Sequence, residues 1–227
     1  MSRYRMTPAL LIVYITLLTY IEARAAFGLP YSLVLLPLST LLGFSFTLLH
    51  AGQRLGWKRT IALLACVFVV SLTFESVGVA TGLVYGPYHY DDHRLGPLIF
   101  DLVPPLIPVA WFLMLYPALI IAGRLVPAGE GTKRILAVAA LGGLVMTAWD
   151  LVMEPVMVQG QHWVWEVQGA YFGIPLQNFW GWWLTTFASH IVAALLGGLS
   201  GPALVGFFAM TPWVVMGWVH SSHGSRR

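Results

Sequence analysis

The chain has 227 residues, of which 58% are hydrophobic and 9% charged, with a formal net charge of +3 and a mean hydropathy of +0.77. A soluble domain carries about 25% charged residues, so the composition excludes a water-soluble globular protein. It points instead to a single all-α domain over 1–227, a polytopic bundle of transmembrane helices in the cell membrane. The positive balance does not signal nucleic acid, because the basic residues lie between apolar segments, where they set orientation in the bilayer.

Arg3 and Arg5 precede a first apolar segment from Pro8 to about Ala23. Ala23-Arg24-Ala25 has the form of a signal-cleavage site, but Glu22 and Arg24 suit a helix end better, and the segment reads as a retained span. A second segment covers about Tyr31 to Leu49, followed by a basic loop with His50, Arg54, Lys58 and Arg59. The third runs from about Thr60 to Ala80 and carries Glu75 near its far end. It contains the single cysteine, Cys66, which cannot form an internal disulfide and reads as a small buried hydrophobe.

A Gly- and Tyr-rich loop comes next, with Asp91 and Asp92, and then Asp101 just before the fourth segment. That segment opens at Pro104-Pro105 and ends near Gly123, with Pro108 and Pro117 expected to bend it. After a second basic loop (Arg124, Lys133, Arg134), the fifth segment spans about Ile135 to Glu154 and is expected to stop at Pro155. Gly142-Gly143 allows another helix close approach. An aromatic loop follows, HWVWEVQGAYFGIPLQNFWGWW. A sixth segment runs from about Asn178 to Leu199, and Gly201-Pro202 turns the chain into a seventh that ends near His220. Gly197 and Gly201 have the small-xxx-small spacing of helix packing.

About seven spans result, and loop charges orient them. With the N-terminus inside, Arg3, Arg5, Arg54, Lys58, Arg59, Arg124, Lys133 and Arg134 are inner, against outer Arg24, Arg94, Arg226 and Arg227. The acids then gather in the outer leaflet: Glu22, Glu75, Asp101, Asp150 and Glu154, with Asn178 opening the sixth segment beside them. No Lys or Arg lies inside a span to neutralise them. A carboxylate in hydrocarbon costs about 3 kcal/mol, so a functional role is the default reading. Asp150 and Glu154 are spaced i, i+4 on one helix face. Two carboxyls this close in a low dielectric cannot both ionise cheaply, and one is expected to keep its proton near neutral pH. A neutral carboxylic acid in an oily pocket is a proton donor. The bland alternative is that these acids only satisfy backbone groups opened by the prolines.

The remaining signals are weaker. His89, Asp91, Asp92 and His93 lie in a loop without zinc-type spacing, and no metal or cofactor is expected. His50, His162, His190, His220 and His223 read as interfacial or packing residues. Trp163, Trp165, Tyr171, Phe172, Phe179, Trp180, Trp182 and Trp183 suit an interfacial belt. Some of those faces could also line a polyene channel and stabilise a cation. Nucleotide-binding and acyl-enzyme motifs are absent from the sequence.

The segments FESVGVATGLVYGPYHY, LGPLIFDLVPPLIPVAW, AWDLVMEP and GAYFGIPLQNFWGWW resemble the membrane-embedded carotenoid biosynthesis family that includes the CruF-type carotenoid 1,2-hydratases. The resemblance covers roughly Phe74 to Trp183, with the motifs in the same order. It implies a hydro-lyase acting on a carotenoid with an acyclic ψ end, such as lycopene, γ-carotene or a C50 relative, to give a tertiary alcohol. The family acids fall at Glu75, Asp101, Asp150 and Glu154. The last of these replaces the second Asp of a D-x-x-x-D-P pattern, which keeps the carboxyl and lengthens its reach.

The expected chemistry is protonation of the terminal alkene by Asp150 or Glu154, followed by water capture of the cation, with Glu75 or Asp101 taking the proton of water. Tyr85, Tyr88 and Asn178 are candidates to orient water and acids, and Trp111, Trp182 and Trp183 to contact substrate. The expected partners are the carotenoid, the bilayer and other carotenoid biosynthesis enzymes. Alternatives are a cyclase sharing the first protonation, or a non-catalytic carotenoid-binding or proton-coupled transport protein. No inverted repeat in the acid positions supports a transporter.

Overall fold

A computed structural model describes residues 6–27, 29, 32–129 and 131–196. The expected seventh segment and the Gly197/Gly201 pair lie outside the described residues. Six long helices result: α1 (Met6–Ala26), α2 (Leu35–Leu55), α3 (Trp57–Thr81), α5 (Leu106–Leu125), α6 (Thr132–Gln159) and α7 (Leu176–Leu196). A short helix, α4 (Asp92–Leu95), and two short strands, β1 (Tyr88–Tyr90) and β2 (Trp163–Trp165), complete the order. Among the described residues, α2, α3, α5 and α6 are long and apolar enough to cross a membrane.

The expected basic loop after the second segment is almost entirely helical. Only Gly56 separates α2 from α3, at φ +78°, a conformation open to glycine at no steric cost. Arg54 therefore closes α2 while Lys58 and Arg59 open α3. In α5, Pro108 falls in the first turn, where a backbone N–H has no intrahelical partner to lose.

A clearer correction concerns Pro155. The fifth segment does not stop there, and α6 continues to Gln159. Proline at 155 leaves the carbonyl of Leu151 without its helical donor. The Tyr171 hydroxyl supplies one instead, donating to Leu151 O at 2.9 Å. In a low dielectric a freed carbonyl must find another partner, and that hydroxyl lets the helix run through.

The helices pack as a ring. α3 packs on α5, α5 on α6, α6 on α7, and α7 back on α3, while α2 lies against α3 and α5, and α1 against α2. α3 and α6 are thus diagonal partners, as are α5 and α7. The core centres on Val67, Phe112, Leu115 and Met146, all almost fully buried. Outward-facing Val69, Leu144, Leu184 and Leu195 are exposed, as an apolar solvent requires. Buried hydroxyls bond within their own helices, such as Thr47 to Gly43 O (2.9 Å) and Ser189 to Thr185 O (2.8 Å). Cys66 is buried, as the sequence suggests, with its thiol 3.5 Å from Ser189 O.

Glycines set the closest approaches. A Cβ on Gly181 of α7 would lie 2.7 Å from the carbonyl oxygen of Val84 and 2.3 Å from the Tyr85 ring. The backbone atom cannot rotate away. Gly181→Ala is expected to lower stability by about 1–3 kcal/mol through overpacking, read as a lower unfolding midpoint in detergent.

Candidate active site

The acids of α3 and α6 face the ring interior from opposite sides. Glu75, Asp150 and Glu154 are 5%, 0% and 1% exposed. Between them lies a cavity of about 360 Å³, walled on one side by Glu75 and on the other by Glu154. Trp111, Trp182, Tyr85, Tyr88 and Asn178 share the lining, and no Lys or Arg is part of it. Asp150 sits behind the wall, one turn before Glu154.

Glu75 accepts three hydrogen bonds. Oε2 takes the hydroxyls of Tyr88 (2.5 Å) and Tyr90 (2.7 Å), and Oε1 takes the Trp111 indole N–H (2.7 Å). A carboxylate has about four acceptor sites, so roughly one remains. Burial and the neighbouring Glu75 charge push the Tyr88 and Tyr90 hydroxyls well above the ordinary tyrosine range. Both phenols therefore stay protonated and act as donors.

Glu154 Oε1 accepts two indole N–H groups, from Trp163 (2.6 Å) and Trp165 (3.0 Å). The Asn178 amide of α7 donates to Asp150 Oδ2 at 2.7 Å. Asp150 Oδ1 has no hydrogen-bond partner among the described residues, and Glu154 follows one turn later on the same face of α6. The two carboxyls form a pair with Glu154 at the cavity and Asp150 behind it.

The strands deliver most of these donors. β1 and β2 pair antiparallel with Tyr88 opposite Trp165 and Tyr90 opposite Trp163. Side chains alternate across a strand, so these four rings share the inner face and His89 and Val164 the outer. The sequence reading took YHY and WVW as loop and so missed Tyr90 as an acid ligand, and Trp163 and Trp165 as donors to Glu154. The period-two alternation of aromatic and other residues was the available signal. The expected aromatic stretch is also divided, since Phe179, Trp180, Trp182 and Trp183 belong to α7.

Two expected site residues stand apart. Asp101 is exposed at φ +59°, at the tip of a turn closed by the Ile99–Val103 bridge, and does not line the cavity. Trp183 is half-buried, with its indole donating to Ala140 O (3.1 Å) and its ring over Gly143, so it packs α7 on α6. Tyr85 reaches the cavity wall but bonds Thr185 Oγ1 (2.7 Å) rather than an acid. In the loop, His89 pairs with exposed Glu166 at 3.2 Å, and Asp91 Oδ1 accepts the backbone N–H of His93. No group of three or more potential metal ligands occurs among the described residues.

His162 also lines the cavity, with Nδ1 3.1 Å from Met157 O. Burial lowers the pKa of its imidazole, favouring the neutral ring. The Asn178–Asp150 bond is buried, so Asn178→Ala strands an acceptor. The expected cost is about 1–3 kcal/mol of stability, measurable as a shift of the detergent unfolding transition.

Glu22, Glu75 and Glu154 line this apolar cavity with no Lys or Arg beside them, and Asp150 lies behind Glu154, an arrangement suited to moving a proton to or from an oily molecule. Residues 35–205 match the family described as carotenoid biosynthesis protein. Neither the curated proteins nor the solved structures contain a match. The matched region covers most of the chain and includes α2 through α7 with Glu75, Asp150 and Glu154, and on that ground the protein belongs to the carotenoid biosynthesis family.

Proposed function

We propose that this family member is a carotenoid 1,2-hydratase, a multi-pass protein of the cell membrane with about seven spans. The observation that carries the reading is the cavity itself. The Asp150–Glu154 pair faces the Glu75 carboxyl, held by three donors, across an apolar space with no Lys or Arg in its lining. Two acids one turn apart in a low dielectric keep one proton between them.

The volume is at the low end of ligand pockets, which run about 300–1,000 Å³, and suits one end of a long polyene rather than its whole length. Glu154 gives its proton to C2 of the terminal alkene, and the π electrons form the new C–H bond. The tertiary cation left at C1 lies between the Glu75 carboxylate and the stacked rings of Trp111 and Trp182, whose centroids are 4.5 Å apart. A fixed negative charge and aromatic faces both favour a cation in a dry site. Water attacks C1 and passes its extra proton to Glu75, whose remaining acceptor site can hold that water. Return of the proton to the Asp150–Glu154 pair closes the cycle, and the net change is one added water. Asp150 acts through Glu154 and does not touch the substrate. Asp101, outside the cavity, has no step.

Pigment analysis of a host making lycopene or γ-carotene tests the reading. The wild-type chain should yield a product heavier by one water. Glu154→Gln removes the acid and should lower turnover by about 10²–10⁴-fold, with Asp150→Asn less affected. A cyclised product of unchanged mass would identify a cyclase instead, and normal turnover in both variants would remove the acids from the mechanism.

A further inference from the structure

The helices that carry the acids, α3 and α6, sit diagonally in the ring and have no substantial packing between them among the described residues. The ribbon supplies a continuous link. β1 packs on α3 and β2 on α6, and the two strands pair with each other. Its flanking bonds, Asp91 N–H to His162 O (3.2 Å) and Glu166 N–H to Pro87 O (3.0 Å), fix the phase of the ladder. By the alternation of antiparallel pairing, Tyr88–Trp165 and Tyr90–Trp163 are non-hydrogen-bonded pairs, the kind whose side chains lie closest. Ring centroids are 5.2 Å apart for Tyr88 and Trp165, 6.0 Å for Tyr90 and Trp163, and 5.4 Å for Tyr88 and Tyr90. The four rings form one packed plate, two of them bonded to Glu75 and two to Glu154.

We propose that this ribbon is the element that sets the spacing of the two carboxyl centres across the cavity, with Tyr90 and Trp163 as its positioning residues. Three paired residues do not make a stable ribbon on their own. The buried acids anchor it from below, and it holds them in turn. A slip of one residue would put the two tyrosines and the two tryptophans on opposite faces and remove one acid's set of ribbon donors. The inference uses the proposed reaction only for its activity measurement. The placement of the acids can be read without turnover.

Infrared spectroscopy of the purified protein provides that reading, with carboxyl bands assigned by Glu75→Gln and Glu154→Gln. Of the two acids, Tyr90 donates to Glu75 and Trp163 to Glu154 among the described residues. If the ribbon is one unit, Tyr90→Phe moves the Glu154 band and Trp163→Phe moves the Glu75 band. In the activity assay each variant should lower kcat by about tenfold with KM nearly unchanged, and the double variant should fall little further than the worse single one. Val164→Thr, on the outer face, is the control and should change neither measurement.

Bands that move only at the locally bonded acid, or kcat losses that multiply in the double variant, would overturn the proposal. The two variants are reciprocal, so either decides the question if the other does not fold. A wild-type protein that makes no hydrated product would count against the reaction and leave the infrared result to judge the ribbon.

Discussion

The structure depends on satisfying buried carboxyl groups in an apolar ring whose cavity lining holds no Lys or Arg. Desolvating a carboxylate costs several kcal/mol even after relaxation, and Coulomb pairing would be the usual remedy. Here the remedy is a set of neutral donors. Glu75 alone receives two phenols and an indole from β1 and α5. Hydrogen bonds to a charged group contribute about 1.5–3 kcal/mol each, so three of them are of the size needed to offset its burial. Neutral donors leave the negative charge uncancelled, whereas a lysine or arginine would not.

That requirement explains why so many elements meet at one end of the ring. The donors to the three acids come from β1, α5, β2 and α7, and the acids themselves from α3 and α6. None of these elements can be placed correctly alone, because each completes the coordination of a group on another. Trp111 illustrates the economy of the arrangement, as its N–H holds Glu75 while its face stacks on Trp182 of the opposite helix. The same contact joins the α5–α7 diagonal and lines the cavity.

The arrangement also fits the proposed chemistry in physical terms. A carbocation in hydrocarbon is very costly, and a preorganised anion beside it is effective because no dipoles must reorient when the charge appears. The acid side of the cavity is built differently. Glu154 is held by indole N–H groups, which orient a carboxyl but are far too weakly acidic to give up their own protons. In the proposed reaction the mobile proton of that side is therefore assigned to the carboxyl pair. The match of residues 35–205 to carotenoid biosynthesis proteins implies a carotenoid, a long hydrocarbon, as substrate.

The sequence by itself determined the membrane class, the order of the apolar helices and the gathering of acids toward one side. Those features are local: apolar length fixes a span, alternation of direction fixes which ends coincide, and i, i+4 spacing fixes that Asp150 and Glu154 share a face. What the tertiary structure decided were the partners across the chain. Helix periodicity could not tell that the Tyr171 hydroxyl would rescue the Leu151 carbonyl and carry α6 past Pro155. Nor could it tell that Trp183 would turn toward α6 while Trp182 turned to the cavity, or that the Ile99–Val103 bridge would leave Asp101 outside. The two short strands were hidden for the same reason. Three residues of alternating pattern carry almost no signal until a second strand, more than seventy residues away, fixes their register and turns four aromatic rings onto two buried acids.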